Sequence, residues 1–214
     1  MKKLFTAIRK NDFSAVKSLL DKNPGIISEV SHGAPKKDDG QSPLQVALKC
    51  ASGNIVHLLL DRGADVNFME EENCANAWRT PVLHDAINRA VMCSRWNVNG
   101  INGLEVMNTE READEAFEIL AKMIMLGADV NGKDSYGNAC LNRACLQARQ
   151  ILPRGDIHDC SRVLTPELYA DIKRIFDLLL EKGADIGYIS PNSFGKTYFE
   201  EYGNETIGEF LKAR

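Results

Sequence analysis

The chain has 214 residues, of which 44% are hydrophobic and 7% aromatic, a composition typical of a soluble protein with a buried core. A formal net charge of −4 argues against a nucleic-acid backbone or an anionic membrane surface as partner. No segment approaches the roughly 20 apolar residues of a membrane span, and the apolar run that starts at Leu4 ends before Arg9, too early for a signal peptide. We therefore expect a cytoplasmic protein.

The cysteines are scattered along the chain. None forms a Cys-x-x-Cys pair, and none has a histidine at zinc-ligand spacing. This pattern predicts reduced thiols, most of them buried, and neither a metal site nor a cofactor. The cysteines are Cys50, Cys74, Cys93, Cys140, Cys145 and Cys160.

The first predicted element is a helix pair over residues 3–22. Leu4 precedes Leu19 by 15 residues, the spacing that separates Leu44 from Leu59 in the next pair. The first pair has no turn signal in front of it, unlike the second. Residues 1–38 are therefore interpreted as an N-terminal capping unit and its loop.

The second unit, residues 39–67, is the most regular. A turn at Asp39-Gly40 leads to Ser42-Pro43, which is a typical helix start because serine can cap free N–H groups and proline lacks one. A second helix then ends at Gly63, where glycine can take the left-handed conformation of a helix C-cap. The unit is thus predicted to be a turn followed by two helices.

The triplet Gly-Ala-Asp that ends this unit recurs after two later leucine-rich or Leu/Met-rich stretches, at Gly127 and Gly183. Such recurrence is typical of a chain built from stacked units. The turn, the Ser/Thr-Pro-Leu-type helix start and the ending Leu-Leu-x-x-Gly-Ala-Asp together resemble the ankyrin repeat. The resemblance implies an α-solenoid whose product is a binding surface.

The third and fourth units are longer than the second. Leu44 and Gly63 are 19 residues apart, whereas the corresponding positions are separated by 44 and 42 residues, which leaves insertions of 25 and 23 residues. We expect these insertions to hold lengthened first helices and loops, and to pack together. Thr109 to Glu112 and Thr165-Pro166 are good start signals for the second helices.

The sequence therefore predicts an all-α, ankyrin-type α-solenoid of about four helix-turn-helix repeats with a short C-terminal cap, in a single domain. The insertions are placed at about 91–112 and 147–164. The unit boundaries are 1–38, 39–68, 69–132, 133–187 and 188–214.

Three local patterns that suggest chemistry are better explained by structure. Phe194 to Thr197 resembles the end of a phosphate-binding loop, but the position of its first glycine is Ser190, so a helix start is favoured. His84-Asp85 has no nucleophile that the sequence places beside it, and in ankyrin-like units a histidine here ties the turn to its neighbour. The aspartates of the Gly-Ala-Asp endings are expected to accept backbone hydrogen bonds, and the run Glu70-Glu71-Glu72 is expected to be a solvated loop. We identify no catalytic residue.

The resemblance implies that a partner binds the concave face, which hairpin tips and first helices form. Aromatic residues and arginines are the types that most often anchor interfaces. By position, the candidate protein-binding residues are Val46, Lys49, Phe68, Met69, Trp78, Arg79, Asp85, Asn88, Arg89, Lys133, Asp134, Tyr136, Arg143, Gln147 and Tyr188.

The preferred function is a non-enzymatic protein-interaction module, expected to be monomeric, that binds a peptide or protein surface. One alternative is an enzyme or ligand-binding protein with a pocket where the insertions meet. Its titratable groups would come from Arg95, Glu105, Arg149, Arg154, Asp156, His158 and Asp159. Another alternative is a regulatory or secreted effector that captures a host protein.

Overall fold

A computed structural model describes residues 2–33, 35–153 and 161–212. The fold in these ranges is mostly helical, with one β-hairpin and three short 3-10 turns at Pro24–Ser28, Lys36–Asp38 and Thr206–Glu209. The longer elements are α1 (Lys2–Arg9), α2 (Phe13–Lys22), α3 (Pro43–Cys50), α4 (Gly53–Asp61), α5 (Val82–Met92), β1 (Asn97–Gly100), β2 (Gly103–Val106), α6 (Glu110–Met125), α7 (Cys140–Ala148), α8 (Pro166–Glu181) and α9 (Tyr198–Tyr202).

The first eight helices stack in two layers. In one layer α1 packs on α3, α3 on α5 and α5 on α7; in the other α2 packs on α4, α4 on α6 and α6 on α8. Consecutive helices also pack as pairs, such as α3 with α4 and α5 with α6. One hydrophobic core runs between the layers from Leu4 to Leu211. The arrangement is that of helix pairs that contact mainly their neighbours.

Most predicted helix starts are present. Ser42 and Thr109 form capping boxes with Gln45 and Glu112, and the Thr165 side chain caps α8. In the third unit the Thr80-Pro81 pair matches Ser42-Pro43 of the second, but α5 begins only at Val82, and the backbone N–H of Thr80 donates to Glu70. Pro81 is the N-cap residue of α5, so Thr80 lies one position before the cap and does not cap the helix.

The glycines of the three Gly-Ala-Asp endings have the expected left-handed conformation, with φ of 81°, 95° and 89° at Gly63, Gly127 and Gly183. In each ending, the aspartate accepts a hydrogen bond from the backbone N–H two residues later, as expected. These bonds close the turn locally. The recurring carboxylates are therefore structural.

The asparagine that follows two of the endings links neighbouring units. Asn67 Nδ2 donates to the carbonyl of Gly127 (2.9 Å), and the N–H of Asp129 donates to Asn67 Oδ1 (2.8 Å). Asn131 makes the same pair of bonds with the third ending, at 2.9 and 2.8 Å. Gly187 occupies the equivalent position in that ending and has no side chain to continue the series.

The insertions differ from expectation in where they lengthen the helices. The second helices α6 and α8 have 16 residues each, against 9 in α4. The first helices α5 and α7 have only 11 and 9 residues, against 8 in α3. The prediction of lengthened first helices is therefore mostly wrong, because most of the added helical turns belong to the second helices, α6 and α8.

The first insertion also contains the hairpin of β1 and β2, which pair antiparallel with Asn97 opposite Val106. The strictly all-α prediction is therefore corrected. Residues 97–103, within the first predicted insertion, contribute β1 and the turn of the hairpin, where Gly103 has φ of 99°.

The expected contact between the insertions is present in the described residues. Asn97 Nδ2 donates to the Val163 carbonyl (2.7 Å), and the Val163 N–H donates to Asn97 Oδ1 (2.9 Å). Beside them, Arg95 makes a bidentate ion pair with buried Asp171, with both N–O distances 2.9 Å. These contacts hold the hairpin against α8.

Candidate functional site

Trp78 is the more exposed of the two tryptophans, with 44% of its surface accessible. Its indole Nε1 donates to Asp134 Oδ2 (2.9 Å), and the guanidinium carbon of Arg143 lies 4.6 Å from the ring centre. Groups from the next unit therefore fix the orientation of a large exposed side chain. Such a side chain loses little conformational freedom when a partner binds.

Asp134 is buried and satisfied within the protein, contrary to its predicted place on an accessible surface. Its Oδ1 accepts the backbone N–H groups of Tyr136 and Asn138, both at 2.9 Å. Burial opposes ionisation, but the hydrogen bonds from Trp78 and Asn138 outweigh it and hold the pKa of the Asp134 carboxyl below its ordinary value. Asp134 therefore shapes the tip of the loop that carries Tyr136.

Next to Trp78 is a cavity of about 340 Å³, here called the Asp85 pocket. It lies between two loops and the first helices α3 and α5. Four of its residues are among the predicted binding residues, and the others were not predicted. It is lined by Lys37, Gln41, Lys49, Glu70, Asn76, Trp78, Thr80, Asp85 and Asn88.

Asp85 lies in the first turn of α5 and is only 6% exposed. Lys49 Nζ is 3.5 Å from its Oδ1, whereas Oδ2 has no hydrogen-bond partner among the described residues. Burial raises the pKa of the Asp85 carboxyl to about 6; the charge of Lys49 opposes this rise and that of Glu70 adds to it. At neutral pH the pocket therefore contains a buried carboxylate with one free oxygen.

Two further side chains of the pocket contain unpartnered hydrogen-bond acceptors. Gln41 Oε1 and Asn88 Oδ1 are buried without a partner in the part of the chain that the structure describes. Glu70 is buried as well, and its carboxylate accepts from the Thr80 N–H (2.8 Å) and from Gln41 Nε2 (3.4 Å). The prediction of a solvated loop at Glu70-Glu71-Glu72 is therefore wrong for Glu70, which ties two loops together.

Several predicted binding residues have structural roles. Val46 is buried in the core, and Arg143 is buried against the ring of Trp78. The expectation that both residues lie on the accessible surface is therefore wrong. Arg89 donates to the carbonyls of Leu48 and Ala51 at the end of α3. Phe68 is half-buried against the core, and Met69 bridges to Pro81. The candidates that are partly or fully exposed are Lys49, Phe68, Met69, Trp78, Arg79, Asn88, Arg89, Lys133, Tyr136, Gln147 and Tyr188.

Tyr136 is 54% exposed and lies on a loop that adjoins the loop of Trp78. The two loops are joined because the Ser135 N–H donates to the Arg79 carbonyl (2.9 Å) and the Arg79 N–H donates to Ser135 Oγ (3.1 Å). Tyr188 donates to the Gly137 carbonyl (2.7 Å), and Lys133 stacks over its ring. The sequence-predicted aromatics thus lie along a row of linked loops.

His84 has the structural role expected of it. Its Nε2 is 3.2 Å from the Gly132 carbonyl in the next unit, and burial lowers its pKa to about 4. The ring is therefore neutral at pH 7, with its proton on the nitrogen that donates. A general-base role at this position has no support from the geometry, because the ring is buried.

The titratable groups proposed for an insertion pocket are dispersed in the described residues. Arg95 pairs with Asp171, Glu105 is exposed, and Arg149 pairs with Glu205. Arg154, Asp156, His158 and Asp159 lie outside the described residues, as does Cys160. Within the described ranges, no group of three or more His, Cys, Asp or Glu side chains is placed to hold a metal ion.

The thiols are less buried than expected. Cys140 and Cys145 are buried, Cys74 and Cys93 are half-buried and Cys50 is exposed. Burial raises the pKa of Cys140 to about 12, so its thiol stays protonated at neutral pH.

Comparison with known families identifies the type of unit. Residues 2–70 match the family model described as ankyrin repeats (3 copies). Residues 2–70 therefore contain ankyrin repeats. The match spans α1 to α4 and ends before the first insertion, and the resemblance predicted from the Gly-Ala-Asp endings is confirmed at the family level. A search of curated proteins found no similar sequence.

Ankyrin repeats in general are protein–protein interaction modules, and their family is typically non-enzymatic. Their stacked units present extended surfaces to partners. In the described part of the chain, no helix is long and apolar enough to cross a membrane.

Proposed function

We propose that the chain is a non-enzymatic interaction module that binds a peptide or protein surface on its concave face, the side formed by the loop tips and the first helices. The observation that carries the proposal is the pair of exposed aromatic residues Trp78 and Tyr136 on adjoining, hydrogen-bonded loops of an ankyrin-repeat chain. Large aromatic side chains are the usual anchors of protein interfaces.

The fixed geometry around Trp78 supports the same proposal. Asp134 and Arg143 hold the indole before any partner arrives, so binding costs little additional ordering. A rigid stack with exposed aromatics favours recognition with small backbone movement. The surface then acts as a preformed site rather than as one that folds on binding.

The insertion pocket is the less favoured alternative. In the described residues, the insertions contact each other through Asn97 with Val163 and Arg95 with Asp171, and these bonds occupy polar groups that such a pocket would use. Capture of a host protein by an exported effector would use the surface proposed above, so the two differ only in the source of the partner.

The test is an affinity purification from native lysate with the immobilised chain. Wild type is compared with the Trp78→Ala/Tyr136→Ala variant, with partners identified by mass spectrometry. We expect a partner that wild type retains and that the double variant loses, since both anchors are removed. Circular dichroism and thermal unfolding of both proteins show whether the fold is preserved.

A matched control is the variant Met125→Ala/Leu126→Ala, which also removes two exposed apolar side chains, at the end of α6 on the second-helix side. This control is expected to retain the partner. Retention by the aromatic double variant together with loss from the control would place the interface on the other side of the stack and contradict the proposal.

A further inference from the structure

The Asp85 pocket contains hydrogen-bond acceptors that have no partner among the described residues. These acceptors are buried oxygens of Gln41, Asp85 and Asn88. Amide groups can rotate to exchange oxygen for nitrogen, but an ionised carboxylate has only acceptors. Asp85 Oδ2 therefore sets the chemistry of the pocket, and a complementary ligand must bring donors.

A cationic ligand fits better than a neutral donor. A buried carboxylate without a full partner is costly, and a positive charge relieves that cost more than a neutral N–H does. Trp78 lines the same cavity, and the face of an indole attracts cations, as the Arg143 guanidinium 4.6 Å from its ring centre shows. The Asp85 carboxylate and the Trp78 indole therefore both favour a cationic ligand.

Lys49, the cation that pairs with Asp85, is an incomplete partner. Lys49 Nζ is 3.5 Å from Asp85 Oδ1, longer than a normal charge-assisted hydrogen bond, and 40% of the Lys49 side chain is exposed. It reaches only one of the two carboxylate oxygens. Lys49 is thus a competitor that a better-placed cation can displace into solvent.

The size of the pocket limits the ligand. Its volume of about 340 Å³ is at the lower end of the range of roughly 300–1,000 Å³ for small-ligand sites. That volume suits one long side chain projecting from a peptide. Arginine is the better fit because its fork of five donors can serve several acceptors at once.

We infer that the Asp85 pocket receives a basic side chain, preferably arginine, of the partner protein, with Asp85 as its counter-ion and Trp78 as its aromatic wall. This inference rests on the proposed function and names the chemistry of the partner. Gln41 and Asn88 supply further acceptors for the bound side chain.

The first experiment uses a free probe and needs no partner. N-acetyl-L-arginine amide is titrated into the protein while the Asp85 carboxyl carbon is followed by NMR as a function of pH. The neutral, nearly isosteric N-acetyl-L-citrulline amide is the control ligand. Lys49, Glu70 and Arg143 are the charged groups that influence Asp85 from neighbouring elements, and Lys37 also lines the pocket; all four are unchanged in this titration.

We expect the arginine probe to lower the Asp85 pKa by one unit or more and the citrulline probe to leave it unchanged. Lys49→Met, which removes the competing cation, is expected to tighten arginine binding several-fold. The inference is overturned if the arginine probe does not move the Asp85 titration at 100 mM, if citrulline moves it equally, or if Lys49→Met weakens binding.

The second experiment selects peptides from a random display library on the wild-type chain. We expect enriched peptides to share one arginine or lysine position, and the best peptide to bind Asp85→Asn at least 10-fold more weakly. Enriched peptides with no basic position would sink the inference and leave the proposed function standing. Failure to enrich any peptide counts against the proposed function, and the probe titration then decides the inference alone.

Discussion

The Asp85→Asn substitution measures how much the ionised Asp85 carboxylate lowers the free energy of unfolding. Burial raises the pKa of Asp85 from 3.8 to about 6, a difference of about two units. At about 1.4 kcal/mol per unit, ionisation at pH 7 costs the folded state about 3 kcal/mol. Asparagine keeps the shape without the charge. The pKa of about 6 already includes the attraction to Lys49, so we expect a net gain of about 1–3 kcal/mol at pH 7.

The sign of the pH dependence follows from the direction of the shift. Because the pKa is raised in the folded state, the stability contribution of protonated Asp85 is fully present below pH 3.8 and is lost as the pH rises through about 6. The difference between asparagine variant and wild type is therefore small at pH 4 and largest at pH 7.

His84 titrates in the same range with the opposite effect. Its pKa is lowered from 6.5 to about 4, so its contribution is present above 6.5 and is lost as the pH falls through about 4. This contribution is common to both proteins and cancels in the difference between them. The comparison therefore reports Asp85 rather than the net pH profile.

The assay is urea unfolding of both proteins at pH 4, 5, 6 and 7, followed by circular dichroism. A difference in unfolding free energy that grows from near zero to about 1–3 kcal/mol supports the assignment. A constant difference across the series, or a variant less stable than wild type at pH 7, would refute the reasoning that Asp85 is a buried and poorly paired carboxylate.

Other predictions follow from single contacts. Tyr198→Phe removes a buried hydroxyl that has no partner within the described residues, and should stabilise the chain by about 1 kcal/mol in urea unfolding; a loss of that size would reveal a missed partner. Asn131→Ala removes two bonds between units and should cost about 1–2 kcal/mol in the same assay, whereas an unchanged midpoint would show that water replaces them. Asp171→Ala leaves Arg95 without its buried partner and should cost about 3 kcal/mol, a drop of roughly 6–12 °C in Tm by calorimetry; a Tm within 2 °C of wild type would contradict this role.

Features that depend on a few neighbouring residues could be predicted from the sequence. Ser42, Thr109 and Thr165 cap helices, and Gly63 and Gly127 adopt the left-handed conformation, because each effect is contained within one turn of chain. The repetition of these local signals also identified the type of unit.

The same local reasoning misplaced residues whose environment comes from elsewhere. Glu70 was interpreted as part of a solvated run, yet partners on two loops make it a buried link. Val46 belongs to the buried face of α3, and Asp134 to an internal hydrogen-bond network. A sequence pattern does not show which loops meet, so these positions required the tertiary structure.

The sequence by itself determined the unit, its ends and the existence of two insertions, since these follow from spacing and from turn chemistry. The tertiary structure alone decided that the insertions lengthen α6 and α8 and form a hairpin, and that Lys49, Trp78 and Asp85 border one cavity. The physical reason is that burial and the pKa of Asp85 depend on groups up to dozens of residues away, which only the packing of successive units brings together.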